Sequence, residues 1–492
     1  MMGVRFSIAP AVVMVVLALS SGARGVASDG AEVRQQGDAG GASALPAGTA
    51  EQVDRIARHV LAATGAPSAS IALVKGASVV YQRAYGLARI EPDTPATPAM
   101  RYAIGSVSKQ FTSSALLLLQ QDGRLSLDDP VSKYLPSLTR AHEVTIRMLL
   151  THTAGYRDYW PQDYVMLPMM QPTSTEHILE VWAKCPLDFD PGTKWQYSNT
   201  NYVIAARIIE IVTGRPYLET IEGRILRPLG LNSAIDVDTG RPIALGAQGY
   251  TRAAFGPLRQ APREGKGWML GAFELAMTAG DLARWDISVM DRSLLKPASY
   301  DEMFTSAKLK DGTDTHYGLG VYTNPVDGHA AIEHTGEASG FVSDNIVFPA
   351  EHAAVVVLTN EMAVNAASRI GHGVVPLLLD DAALAASSSK PPPTQVEAQA
   401  LAIFKGLQQG RIDRSLLTPN LDGYFDQQTL DDFASSLAPL GAPLSFHQIF
   451  EELRGGMTFR GFKGQFAGRN VRVTTYQMPD GKLEQYLVLP SE

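Results

Sequence analysis

The chain has 492 residues, 45% of them hydrophobic and 19% charged, with a formal net charge of −8. That composition supplies a large apolar core and excludes wholesale disorder, collagen-like repeats and, with no run of Lys or Arg, a basic nucleic-acid-binding stripe. The one cysteine, Cys185, excludes an intrachain disulfide framework and a cysteine-rich zinc site.

Residues 1–27 read as an export signal: Arg5, the apolar run Ile8–Leu19, then the small residues Gly25-Val26-Ala27 before cleavage. The run is interrupted by Pro10 and is shorter than the ~20 apolar residues that span a bilayer. The mature chain is therefore expected to be periplasmic or secreted, with no stable membrane span. Residues 28–49 lack periodicity and read as a flexible linker. A second composition break, the Ser/Pro stretch 385–394, separates a block at 50–384 from a small one at 395–492.

The large block opens with a helical pattern over Ala50–Ala63 and two strand-like runs, Ser68–Lys75 and Ser78–Gly86. An apolar helix is predicted over Val107–Gln121, stopping at Asp122-Gly123, and another over Tyr202–Val212. Tyr317–Tyr322, Ala331–His334, Phe341–Phe348 and Ala353–Thr359 read as successive antiparallel strands. Strands at both ends with helices between predict an α/β sandwich whose sheet is closed by the two ends of the block. The small block reads as α+β. Helices lie around Val396–Leu407 and Leu430–Leu437, followed by strands at Leu444–Phe450, Met457–Phe462, Val471–Tyr476 and Leu483–Leu489. Pro479-Asp480-Gly481 is a hairpin turn, and Arg454-Gly455-Gly456 is read as a turn in preference to a pocket rim.

Ser106-Val107-Ser108-Lys109 opens the first apolar helix, where residues at i and i+3 share a face. A serine nucleophile needs a base beside it. A lysine buried near a helix N-terminus is pushed toward its neutral form by desolvation and by the helix dipole. The same terminus offers the Ser106 backbone N–H as an oxyanion donor. Ser106 also fits a plain helix cap with a solvated Lys109, and Ser-x-x-Lys recurs at Ser293–Lys296 and Ser387–Lys390 in loop-like contexts. Tyr197-Ser198-Asn199 precedes the second helix; a tyrosine there can shuttle protons and an amide can hold a carbonyl, or the two are a buried ring and a cap. His334-Thr335-Gly336 follows a strand and offers a cation, a hydroxyl and a close backbone to an anionic group. Arg157–Pro172, rich in aromatics and Met, fits a cleft wall and ordinary packing equally.

Taken in order, these segments resemble the serine β-lactamase and penicillin-binding-protein superfamily, most closely its class C β-lactamase, D-peptidase and esterase branch. Leu149-Leu150-Thr151-His152-Thr153-Ala154-Gly155 and Thr278-Ala279-Gly280-Asp281-Leu282-Ala283 extend the resemblance, which covers about residues 50–380. It implies a β-lactamase-like sandwich with an antiparallel sheet and a helical lobe, the active site lying between them. By resemblance, Ser106 is the acylated nucleophile and Lys109 and Tyr197 are the proton-transfer pair. Asn199 contacts a substrate amide, His334 a substrate carboxylate, and Thr335 and Gly336 assist. The backbone N–H of Glu337 is the second oxyanion donor, and His152 is structural. His334 stands where many members have lysine, which fits a peptidase or esterase as well as a lactamase. The small block weakly resembles the nuclear-transport-factor-like (SnoaL-like) fold.

The sequence has no Gly-x-Ser-x-Gly elbow and no His-Glu-x-x-His zinc motif. No metal and no cofactor is expected. The expected function is an exported serine hydrolase acting through an acyl-serine on an ester, D-peptide or β-lactam. The alternative is a non-catalytic penicillin-recognising or sensor protein that retains the fold. The whole motif set precedes residues 385–394, so the large block is expected to fold and react alone.

Overall fold

Six antiparallel strands form the central sheet of the computed structural model, which describes residues 44–338, 340–362, 364–379 and 395–491. In space they run β3 (Thr94–Pro95), β2 (Ser78–Arg89), β1 (Ser68–Lys75), β6 (Ala353–Thr359), β5 (Phe341–Phe348), β4 (Ile332–Ala338). The central pair joins the two ends of the block, with Ile71 opposite Val357 and Leu73 opposite Val355. This is the closure the sequence predicts.

Side chains alternate across a strand, so β1 feeds two cores at once. Ile71 and Leu73 pack with Val53 and Val60 of α1 (Ala47–Thr64) and with Ile370 and Val374 of a helix over Ala366–Leu379. Ala72 and Val74 face the other way, toward Phe111 of α2 (Ser108–Gln121) and Trp285 of a helix over Ala279–Met290. Both faces are covered, which is why β1 and β6 read as near-continuous apolar runs. Each fully buried Leu, Ile or Phe in these layers contributes at most about 1.5–3 kcal/mol of transfer free energy. The helical lobe includes α3 (Asn199–Thr213), buried from Asn199 to Ala206.

Two expectations change. Helix α1 begins at Ala47, inside the stretch read as linker. Tyr317–Tyr322 is not a strand: the chain turns back through Gly320, and its strand-like pairing is limited to the isolated bridges Tyr317 to Tyr322 and Tyr322 to Glu333. The signal, most of the first linker and the 385–394 stretch lie outside the described residues.

The small block places three helices, Gln395–Leu407, Pro419–Tyr424 and Gln427–Leu437, before a four-strand meander. The strands are β7 (Ser445–Arg454), β8 (Met457–Gln465), β9 (Asn470–Gln477) and β10 (Leu483–Ser491), paired in chain order. That order is the one read from the sequence, and the SnoaL-like resemblance has no support beyond it. The block does not stand apart. One apolar cluster runs through both blocks and includes Tyr164 and Met166 on one side, Leu421 and Phe425 on the other. Arg259 forms a bidentate pair with Asp432 at 2.7 and 2.9 Å, and Tyr164 Oη donates to the Glu484 carbonyl at 2.9 Å. Arg157–Pro172 lines the cleft through Trp160, Gln162 and Asp163, as one of the two sequence readings has it, and its buried rings also form the seat of the second block, which neither reading included. Among the described residues no helix is long and apolar enough to cross a membrane.

Candidate active site

Ser106 sits on a single 3-10 turn, Gly105–Val107, that leads directly into α2. Two close backbone approaches fix this turn against β4. A Cβ on Gly105, whose φ is +53°, would lie 2.3 Å from the Glu337 nitrogen, and one on Gly336 would lie 1.9 Å from the Ile104 carbonyl oxygen. Only glycine allows either contact. Ser343, opposite Gly336 in the β5–β4 register, closes the junction by donating to the Ile104 carbonyl at 2.8 Å. The Ser106 and Glu337 backbones are thereby brought to the same corner of the cleft, the arrangement a pair of oxyanion donors needs.

Lys109 is fully buried. Its Nζ lies 2.9 Å from Ser106 Oγ, 2.9 Å from Asn199 Oδ1 and 3.1 Å from the Ala272 carbonyl. The Asn199 and Ala272 oxygens can only accept, so a neutral amine satisfies all three contacts by donating two hydrogen bonds and accepting one from the serine. Burial holds the ammonium well below the ordinary lysine range; Asp158 opposes this and Arg454 adds to it. Tyr197, Tyr202 and Phe273 place ring centroids 4.9, 5.3 and 5.2 Å from Nζ and keep water away.

Tyr197 Oη is buried without a hydrogen-bond partner, in the same cleft as Ser106. Burial pushes its phenol well above its usual range, with Tyr322 adding to this and Ser106 and Arg454 opposing it. His152 lies under Tyr197, ring centroids 4.2 Å apart. Its Nδ1 accepts the Ser198 backbone N–H at 3.2 Å, so it fixes the Tyr197 loop, the structural part expected of it.

Two expected roles do not survive the geometry. The Asn199 side chain is engaged within the protein: Oδ1 accepts from Lys109 with one of its two lone pairs, while Nδ2 donates to the Trp160 carbonyl at 3.0 Å and lies 3.4 Å from Asp158 Oδ2, which leaves no amide N–H for a substrate carbonyl. It orients the lysine. His334 is buried, with Nε2 2.9 Å from Tyr317 Oη and Nδ1 2.6 Å from the Thr335 carbonyl. The carbonyl can only accept, so Nδ1 carries the proton and Nε2 accepts from the tyrosine. Burial, with the Lys109 charge, lowers its pKa to about 3. The ring is neutral in mild acid and has no free N–H with which to grip a carboxylate. Thr335 is exposed on the cleft wall and Gly336 supplies the close backbone.

The cleft has a volume of about 910 Å³ and is lined from both blocks. Ser106, Tyr197, Thr335 and Glu337 line one part; Leu453, Arg454, Phe459 and Thr474 of the second sheet line another. Glu337 is half-buried with an unpartnered Oε1, its carboxyl raised well above the usual range by burial and then by the Asp163 charge. Sequence reasoning gave Asp158 no role and placed the pocket-rim reading of Arg454 behind a turn; the structure gives both, since Arg454 leads into the turn and also lines the cleft, where it meets Asp158 at 3.1 Å beside Tyr197. Their separation of 296 residues left no local signal for the pairing. Of the two other Ser-x-x-Lys copies, Ser293 turns back onto the Ser288 carbonyl, and Ser387–Lys390 lies outside the described residues.

One group of donors among the described residues is close enough to hold a cation. Glu333, Asp344 and His372 have donor atoms within 4.8 Å of one another. Alternation along β4 turns Glu333 away from the face that carries His334.

These features define a class. Residues 53–374 match the Beta-lactamase family, and the chain belongs to it. Protein flp of Staphylococcus aureus (strain NCTC 8325 / PS 47) is 29% identical over 322 residues, 63% of this chain and 63% of that protein. The chain thus spans less than two thirds of the length of that curated relative. A D-stereospecific amidohydrolase from Streptomyces sp. superposes with a TM-score of 0.57 at 26% identity, covering 66% of this chain and 97% of its own. The octameric penicillin-binding protein homologue from Pyrococcus abyssi superposes with a TM-score of 0.61 at 22% identity over 89% of this chain and 99% of its own, a likeness of fold that takes in the second block.

Proposed function

We propose that the protein is a serine hydrolase that forms an acyl-Ser106 intermediate on an ester, a D-peptide or related amide, or a β-lactam, and returns the acyl group to water. The observation that carries this reading is the 2.9 Å contact between Ser106 Oγ and a fully buried Lys109 whose charged form is disfavoured. A neutral amine takes the serine proton as Oγ attacks the substrate carbonyl. The Ser106 and Glu337 N–H groups receive the oxyanion. Tyr197, in the same cleft, returns a proton to the leaving group, and the reverse path activates the deacylating water.

The neutral His334 narrows the substrate. With both ring nitrogens engaged and the ring uncharged near neutral pH, this position offers no cationic grip for a substrate carboxylate. That lack, and the kinship with a D-stereospecific amidohydrolase, favour esters and D-aminoacyl amides or peptides over β-lactams. Export is proposed from residues 1–27 alone.

Intact-mass analysis after exposure to a fluorophosphonate and to a penicillin tests the reading. The expected result is a single fluorophosphonate adduct lost in Ser106→Ala, and a penicilloyl adduct that forms weakly or turns over. A stable stoichiometric penicilloyl adduct, with no turnover of any ester or D-aminoacyl amide, favours the binding or sensing alternative.

A further inference from the structure

We propose that Arg454, from the second block, is a positioning residue of the Ser106 site: it balances the charge of Asp158, through which Asn199 and Lys109 are held, and covers the face of Tyr197. The inference rests on the reading of Ser106, Lys109 and Tyr197 as the reacting groups.

The geometry forms a chain of contacts. Arg454 ends β7, and Gly455 and Gly456, with φ of +61° and +73°, turn the strand into β8. Two successive residues in that region make the tight hairpin turn that suits twisted strands. The turn is pressed against the first block: a Cβ on Gly455 would lie 2.8 Å from Pro161 Cγ, and one on Gly456 would lie 2.9 Å from Arg157 Nε. From there the Arg454 Nε and Nη2 reach Asp158 Oδ2 at 3.2 and 3.1 Å. Nη1 donates to Tyr476 Oη at 3.2 Å, which anchors the guanidinium to its own sheet. The guanidinium carbon is 5.1 Å from the Tyr197 ring centroid.

Asp158 is fully buried. Its Oδ1 accepts the Asn199 backbone N–H at 2.9 Å and the Trp160 N–H at 3.2 Å, and Asn199 Oδ1 in turn accepts from Lys109 at 2.9 Å. A buried carboxylate needs a countercharge. If Arg454 did not supply it, the nearest cation able to do so would be Lys109, which would then be protonated and unable to act as base. With the pair intact, Asp158 raises the lysine pKa, Arg454 lowers it, and burial prevails. Arg454 also favours the ionised form of Tyr197.

The groups that face this centre come from several elements. Around Lys109 and Tyr197 stand Ser106, His152, Tyr202, Tyr317, Tyr322 and His334. Around Arg454 stand Asp158, Asp163, Tyr197 and Tyr476, with Glu337 and Glu452 sharing the cleft. Apart from Asp158, the carboxylates lack a direct contact with Arg454, so the 3.1 Å pair dominates the local balance.

The test is the pH dependence of the Ser106 phosphonylation rate with a fluorophosphonate, in which Oγ attacks phosphorus and fluoride leaves, on the full chain. In Arg454→Gln the acid limb should move up by about one pH unit, as for loss of a cation within contact range, and phosphonylation at neutral pH should fall roughly tenfold. Asp158→Asn should move the limb down. The double variant Arg454→Gln/Asp158→Asn should return it to within about 0.3 of its original position, because the two charges leave together. Arg454→Lys keeps the charge but not the two-donor fork, and should hold the limb while losing rate. An Arg454→Gln protein with an unmoved limb, or a double variant still displaced like Arg454→Gln, overturns the proposal. If Arg454→Gln does not fold, Asp158→Asn and the double variant decide by the same criterion. Labelling that persists in Ser106→Ala overturns the reading beneath the proposal, and is distinguishable because it says nothing of the limb.

Discussion

The two blocks contribute to the cleft in different ways. The first holds its chemistry in short local patterns: Ser106 and Lys109 are three residues apart, and His334, Thr335 and Gly336 are consecutive on one strand. The second contributes a wall, from which the Arg454 guanidinium reaches Asp158; neither forms a motif. The first kind of site is encoded by the geometry of a helix turn or a strand end, which repeats wherever the local sequence repeats. The second exists only because two surfaces dock. Read alone, the first block gives no sign of the residues that the second adds to the cleft.

The sharpest way to break the comparison is at the nucleophile. Ser106→Ala should lower turnover by at least about 10⁴-fold and abolish covalent labelling, while Ser293→Ala, which shares the motif but not the site, should leave both unchanged. Equal losses in the two variants would show that the motif and not its context had been read.

Next in size is Lys109. Lys109→Arg should be nearly as inactive as Lys109→Ala, with losses on the order of 10³-fold in acylation rate, because a guanidinium cannot take the serine proton. Near-normal acylation by the Arg variant would make Lys109 a fixed charge.

The third bears on the docking itself. A chain ending at Leu384 loses the cover of Tyr164, Met166 and Trp160 as well as Arg454. It should aggregate or, if recovered in soluble form, label at a rate reduced by about tenfold or more, as loss of the Arg454 charge alone would require. Wild-type solubility and labelling rate in that chain would restore the independence expected from the sequence.

The fourth concerns His334 and is smaller. KM for a matched carboxylate ester and neutral ester should follow parallel pH profiles between about pH 5 and 8, since the ring titrates at about 3 and not near the reference value. A steeper loss for the acid through about pH 6.5 would reveal an imidazolium. The same depressed value has a stability consequence. The folded state prefers neutral His334, so its contribution is full above the unfolded pKa of about 6.5 and is lost as pH falls toward about 3. His334→Gln should flatten the acid limb of Tm against pH.

The smallest effect is expected at Asp344, fully buried with neither carboxylate oxygen hydrogen-bonded. Burial, with the neighbouring Glu333 charge, raises its pKa. Its neutral form is favoured in the fold, so stability is lost as pH rises through the folded value. Asp344→Asn, measured with chelator present, should gain about 1 kcal/mol or more at about pH 8 relative to about pH 5; equal changes at both would show that Asp344 titrates in the fold as it does in the unfolded chain.

Much of the architecture was legible because burial imposes periodicity. β1, β5 and β6 were read to within a residue or two, as was the stop of α2 at Asp122-Gly123. The Ala366–Leu379 helix was not, because Gly371, Gly373 and Pro376 break its helical appearance while tertiary packing sustains it. At the site, Ser106, Lys109 and Tyr197 converge as read. Asn199 and His334 carried the right residue types into the right place, but their hydrogen bonds were already taken by Lys109, Trp160, Tyr317 and Thr335, which no spacing rule reveals.

The separation between Asp158 and Arg454 also sets a timetable for the chain's birth. A ribosome adding about 5–20 residues per second needs roughly 15–60 s to pass from one to the other. Ser106 and Lys109 are made before that interval and Tyr197 early in it, whereas Arg454 arrives only at its end. On the proposed reading, the nascent site gains the charge that balances Asp158 only after the 296 residues between the two have been added.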